Sequence, residues 1–467
     1  MNWRIIATVL LIAALTVGCD KNEDPANPND HVNSWILENL QFWYYWNSSL
    51  PTDPNKSQEP EPFFNSLLNS ADRFSWIQDN YKELLNSLQG ISKEPGFEYA
   101  LYRVSPESNS VIAHVLYVKP NSPAASANLK RGDIIDAINS QSITTTNYKE
   151  LIDALGSTHT LTYRPIDIAN QTFGTQKTIT LTPVEYSENP NYLNKVFTYN
   201  DRKIGYYVYN FFAIGATQFN DEYNTAMDAI FAGFKSENIT DLIVDLRFNS
   251  GGAEKATVNL ASLIGKDINN TKVFTRREYN PGVTDAILKD PSLGEAYLNV
   301  KFTSETQNVG SQLRNGRVYI LTGSRSASAS ELLVNGLRPY MDVFLIGNKT
   351  VGKNMGSISL YDEDDAKNTW GMQPLVTKSF NSLGQSDYDT GFTPQVFDAD
   401  NSLFLYPLGD PKERLLSLAL KEITGLPEFG RTADTPTWGE EVGHSLDSKP
   451  RSNRLILDIK AQKPGAQ

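Results

Sequence analysis

Histidine and cysteine are almost missing from this chain, at four and one residues respectively out of 467. With Cys19 the only cysteine, neither an internal disulfide nor a cysteine-rich metal site can form. The histidines are His31, His114, His159 and His444, and none falls between residues 198 and 425. A Ser-His-Asp hydrolase is therefore disfavoured, and His-rich zinc motifs are missing. No Ser-x-x-Lys motif occurs either, which removes the penicillin-binding type of site. Long basic runs are lacking and the net charge is −12. Phosphate binding needs clustered Lys and Arg, so nucleic acid is not an expected partner. No motif calls for a cofactor or a metal, and no segment beyond the N-terminus has the length and apolarity of a transmembrane helix.

What is present begins with a leader. Arg4 precedes the apolar stretch Ile5 to Leu15, too short for a mature membrane anchor, and Gly18-Cys19 follows. Residues 1–18 resemble a bacterial lipoprotein signal, cut before Cys19, which would then carry the lipid. Thr16 stands where a larger aliphatic residue is commoner, and the alternative is an ordinary secretory signal with an incidental cysteine. Residues 19–30, with Pro25 and Pro28, read as a tether. The run Asp20-Lys21-Asn22-Glu23-Asp24 resembles the surface-export tag of Bacteroidetes lipoproteins, although an acidic tether is more often simply solvated. The expectation is a cell-envelope lipoprotein of the outer membrane, facing either the surface or the periplasm.

About 450 residues remain, enough for two or three domains. Over 31–95 the pattern is helical and aromatic: Val32, Trp35, Ile36, Leu40 and Trp43 recur at helical spacing, and a second helical stretch covers Pro62 to Gly90. Such aromatic stripes are core far more often than ligand platforms. Residues 96–185 are β-rich, with a strand at Val111 to Val118. From 198 to 426 strands alternate with helices, as in an α/β domain. Asp410 would cap a closing helix that ends near Gly425, and 427–467 read as a polar, mobile tail.

The chemistry concentrates in the third region. Val318 to Thr322 reads as a strand, Glu331 to Leu337 as a helix ended by Pro339, and Val343 to Ile346 as a second strand. A unit of this length implies two parallel strands joined by a right-handed crossover. Ser328 then follows the carboxyl end of the first strand and Lys353 that of the second, on the sheet edge where open α/β sheets bind ligands. The strand Leu242 to Leu246 delivers Gly251-Gly252 to the same edge. Nucleophile, amine and backbone donors are the parts of an acyl-transfer site. Each part also has a bland reading. Ser328-x-x-Glu331 is a capping box, Gly251-Gly252 a turn, and Lys353 a solvated loop residue.

Two resemblances join these parts. Ser122-Pro123-Ala124 with Gly132-Asp133-Ile134-Ile135 resembles a PDZ domain. That implies strand addition of peptide C-termini beside a loop near Gly96-Phe97-Glu98-Tyr99, with a structural or gating role as the alternative. Asp245-Leu246-Arg247, Asn249, Gly251-Gly252, then Ser326-Ala327-Ser328-Ala329-Ser330-Glu331, then Gly352-Lys353, resemble the C-terminal processing (tail-specific) serine peptidases of family S41. The resemblance implies a multi-domain α/β protein: an N-terminal helical domain, a PDZ domain and a ClpP/crotonase-like protease domain. It implies Ser328 as nucleophile, Lys353 as general base, and backbone N–H groups of Ala329 and of Gly251 or Gly252 as the oxyanion hole. Substrates would be proteins or peptides, with no prediction of oligomeric state. Better-known members carry Gln four residues after the lysine; here that position is Ser357, and Ser357 or Gln373 would have to aim the amine. The rival expectation is a catalytically weak or inactive peptide-binding surface lipoprotein.

Overall fold

The protein is described here as a computed structural model covering residues 29–217, 220–429, 436–449 and 452–457. The signal, Cys19 and most of the tether lie outside these residues. Helix Asp30–Trp43 buries Val32, Ile36, Leu37, Leu40 and Trp43 along one face, and helix Pro60–Leu67, begun by a proline, packs against it. The second helical stretch does not continue. Asp72 Oδ1 accepts the N–H groups of Phe74 and Ser75, and this turn diverts the chain into the short strand Trp76–Gln78. That strand pairs antiparallel with Gly371–Gln373, so the N-terminal region is tied into the protease region by backbone as well as by packing. Helix Tyr81–Leu88 follows, capped by Asn80.

The middle region is a sheet in the order Lys177–Leu181, His159–Arg164, Ile134–Ile138, Val111–Val118, Phe97–Arg103. One further strand, Glu441–His444, adds antiparallel to Phe97–Arg103. Arg131 of this region reaches Glu413 (3.1 Å) and the carbonyls of Leu116 and Tyr406, fixing the module to the next one.

The third region is built on a six-stranded sheet: Asn191–Tyr199, Arg202–Tyr209, Asp241–Asp245, Arg317–Thr322, Asp342–Gly347, Val396–Phe397. The first pair is antiparallel and the others are parallel. Ile243, Ile320 and Leu345 are fully buried between flanking helices, which explains why these strands read as unbroken apolar runs. Helix Ala329–Leu337 makes the crossover from Arg317–Thr322 to Asp342–Gly347. The closing helix starts later than its sequence suggests. It spans Arg414–Thr424 and is capped by Glu413, which accepts from Leu416 N–H, while Asp410 accepts from Lys412 N–H in the preceding turn.

A second six-stranded sheet runs Gly251–Ala253, Arg454–Ile456, Met355–Ser357, Leu375–Phe380, Val273–Tyr279, Asn299–Lys301. Within the expected mobile tail over 427–467, two described stretches are strands instead. Residues 441–444 complete one sheet, and 454–456 sit inside another. Short strands of this kind take their stability from partners far away in sequence, so local polarity hides them.

Candidate active site

Strand Arg317–Thr322 ends in Gly323, and the chain rises through Ser326 and Ala327 to Ser328 before entering its helix. Ser328 has φ 60°, ψ −109°, an uncommon conformation for a residue with a side chain. Neighbouring bonds hold it there. Glu331 Oε2 accepts Ser328 N–H (2.8 Å), and Ser326 Oγ donates to Leu246 O (2.7 Å). Ser330 Oγ donates to Asn249 O (2.9 Å). The flanking serine hydroxyls are thus both taken up by backbone. Ser328 Oγ is buried and has no hydrogen-bond partner among the described residues. Glu331, at the third helical position, closes the expected capping turn from its side.

Glu331 does more than cap. Its buried carboxylate also accepts Thr350 Oγ1–H (2.6 Å), Gly352 N–H (2.7 Å) and Lys353 N–H (2.8 Å). One side chain therefore fixes the serine turn to the lysine loop. Burial raises its pKa, and these four donors oppose the rise. Gly352 has φ 90°, and a Cβ there would lie 2.4 Å from Asp389 O, so glycine is required. From the N-terminal region Arg73 Nη2 donates to Gly352 O (2.7 Å) and Asp389 O (2.9 Å).

Lys353 is fully buried. Loss of hydration pulls its pKa well below the ordinary lysine value, and the charge of Arg454 adds to this, while Asp72 and Glu331 oppose it. The amine lies 5.4 Å from the centre of the Phe74 ring. A neutral lysine amine can accept a proton, which an ordinary surface lysine near neutral pH cannot.

The glycine loop forms the third wall. Gly251 and Gly252 have φ 114° and 135°, and a Cβ on Gly252 would lie 2.0 Å from Phe212 O. Asn249 Oδ1 accepts Gly251 N–H (2.9 Å), and Asn249 Nδ2 donates to Tyr209 O (2.9 Å). Below the loop Arg247 joins Asp245 (2.8 Å) and Glu413 (2.5 Å), all three buried.

With this geometry in hand, three family profiles match the chain: "Peptidase family S41" over residues 204–396, "Peptidase S41 N-terminal domain" over 31–76, and "PDZ domain" over 114–165. The chain belongs to peptidase family S41. A solved structure titled as an S41 protease of Bacteroides fragilis NCTC 9343 is 27% identical, with a TM-score of 0.67, over 84% of this S41 chain and 97% of the other. A CtpA-like serine protease of Staphylococcus aureus is 22% identical over 75% of the chain, which spans 63% of that relative's length. The carboxyl-terminal-processing protease of a Picosynechococcus strain is 25% identical over 68% of this chain and 66% of its own.

Against the sequence reading, the S41 site differs in three places. Of the expected oxyanion donors, Gly251 N–H is already taken by Asn249. Ala329, the first residue of its helix, keeps an N–H with no partner inside the helix. Gly251 O and Ala253 N–H both face Phe212, so on the alternating backbone the Gly252 groups face the opposite side, where Arg454–Ile456 runs. Ser357 does not aim the lysine, because its buried hydroxyl has no hydrogen-bond partner among the described residues. Gln373 donates to Ser359 Oγ instead (3.1 Å). The amine of Lys353 donates to Asn453 O (2.6 Å), a group that sequence reasoning missed entirely. Glu331 was visible only as a capping residue, and nothing in the sequence tied it to the lysine loop.

Proposed function

We propose that this chain is a serine endopeptidase of the C-terminal processing type, hydrolysing proteins or peptides through an acyl-enzyme with Ser328 and Lys353 as its dyad. One observation carries the reading: a buried serine hydroxyl with no partner among the described residues, on a constrained turn that Glu331 ties to a buried lysine whose pKa burial lowers. Ser328 Oγ attacks the substrate carbonyl carbon while the Lys353 amine takes the hydroxyl proton. The oxyanion rests against the N–H of Ala329, at the positive end of its helix, and that of Gly252. Collapse of the tetrahedral adduct breaks the C–N bond, and the lysine proton passes to the leaving amine. Water, deprotonated by the same amine, then releases the acyl group from Ser328.

A cleft of about 480 Å³ lies beside the lysine loop, lined by Tyr45, Trp46, Arg73, Phe74, Gly352 and Asp389 among others. Anchoring through a lipid on Cys19, and with it a place in the cell envelope, belongs to the same proposal and rests on the sequence of the leader alone. Purified protein lacking residues 1–18 should cleave an unfolded protein, and a serine-directed covalent probe should label Ser328. Ser328→Ala and Lys353→Ala should each abolish cleavage. Equal inertness of wild type and Ser328→Ala across unfolded proteins and peptides would instead favour a binding module that kept the fold.

A further inference from the structure

Two stretches of one C-terminal segment lie where a bound peptide would be placed. The first covers the PDZ edge. Glu441–His444 pairs antiparallel with Phe97–Arg103, and Tyr99 N–H donates to Ser445 Oγ (3.0 Å), whose hydroxyl donates to Glu98 (2.5 Å). Lys449 follows, paired with Glu94 (2.9 Å) and Glu98. The second crosses the catalytic cleft. Arg454–Ile456 inserts between Gly251–Ala253 and Met355–Ser357.

The insertion is in register with the chemistry. An atom added to Gly251 Cα would lie 2.3 Å from the Arg454 carbonyl oxygen and 2.9 Å from Ser328 Cβ, so both groups crowd the same side of Gly251. The preceding carbonyl, of Asn453, takes the Lys353 amine. Arg454 is 4% exposed. Its Nη1 donates to Phe74 O (2.5 Å), its guanidinium lies 5.1 Å from the centre of the Trp76 ring, and Asp72 opposes the fall in its pKa, to about 10, that burial causes. An aliphatic side chain there would leave the Phe74 carbonyl without that donor, and an acidic one would face Asp72.

We propose that the cleft binds peptides as an added strand with a basic side chain in the Asp72–Phe74–Trp76 subsite, at the residue whose carbonyl lies with Ser328 against Gly251, and that residues 452–457 of this chain are its resident occupant, competing with substrate. The proposal rests on the peptidase reading above and adds the substrate class to it. A segment tethered to the enzyme competes at high effective concentration, so a weak intrinsic fit is enough to hold the site.

The test uses the full chain and four peptides differing only at one central residue, Arg, Lys, Ala or Glu, with the cleaved bond located by mass spectrometry. The bond after Arg or Lys should be cut with kcat/KM at least about tenfold above that after Ala, with Glu slowest. Arg454→Ala and Arg454→Glu should lower the apparent KM for the Arg peptide several-fold, because the resident strand loses its anchor. Trp76→Ala should shrink the Arg-over-Ala ratio of kcat/KM, because the guanidinium loses its ring partner. Equal kcat/KM for all four peptides, or an unchanged KM in both Arg454 variants, would overturn the proposal while leaving Ser328-dependent hydrolysis in place. Absence of Ser328-dependent hydrolysis of every peptide, even by Arg454→Glu, would instead take down the peptidase reading itself.

Discussion

Replacing Lys353 by methionine should make the protein more stable, and the size of the effect should depend on pH in a defined direction. The amine is fully buried, and its folded-state pKa lies well below the ordinary 10.5. Between those two values the unfolded chain carries the proton and the folded chain does not. Folding therefore expels a proton, and wild-type stability rises with pH across that window, by up to about 1.4 kcal/mol per unit. Below the folded value the full cost is present and constant. Lys353→Met removes this term and keeps most of the apolar stem's packing. It also loses the bond to Asn453 O, worth about 1 kcal/mol. A depression of a single unit would already offset that loss. Urea unfolding at a series of pH values from about 6 to about 10 should show the variant ahead, with its lead shrinking as pH rises. A pH-independent difference, or a variant less stable throughout, would refute the idea that the fold strips this lysine of its proton. Activity should be lost in the same variant, a trade of stability for function at one residue.

Three further outcomes follow from the same geometry. Glu331→Gln places an amide N–H₂ against backbone N–H donors, so it should cost about 3 kcal/mol in unfolding free energy and reduce kcat at least tenfold with KM little changed. A loss confined to KM would show that Glu331 does not position the dyad. Ser357→Ala should keep kcat/KM within about twofold, since that hydroxyl bonds nothing among the described residues; a large loss would restore Ser357 as the group aiming the lysine. Finally, kcat/KM should rise with pH through the lysine's depressed value and show no histidine inflection. Burial brings His114 to about 3 and His444 to about 4, lowers His159, and His31 sits at the surface against Asp365. An inflection near 6.5 that disappears on replacing any of them would contradict a lysine base.

Sequence patterns reached some levels of this structure and not others. The crossover unit was readable because its strands are buried on both faces and its helix is bounded by a capping residue and a proline, all local signals. From that topology Ser328 and Lys353 fall on one edge without any knowledge of side chains. The PDZ strand Val111–Val118 was readable in the same way. What failed was set by distant partners. Trp76–Gln78 lies in a stretch with helical spacing, yet the Asp72 turn and the Gly371–Gln373 edge make it a strand. Arg454-Leu455-Ile456 is too short to carry a period, and its ladder partners lie about 100 and 200 residues earlier. The bond between Glu331 and the Gly352-Lys353 backbone likewise depends on how the crossover closes, which no spacing rule encodes.

The position of Arg454–Ile456 also has a meaning in time. This strand is interior to the order of its sheet, yet it leaves the ribosome after every strand it joins. Until then the edges of Gly251–Ala253 and Met355–Ser357 have no strand between them, and Lys353 lacks the carbonyl that now receives its amine. The gap in that sheet can therefore close only when the last strand has been made. On the proposal above, the resident strand can compete with substrate only from that moment on.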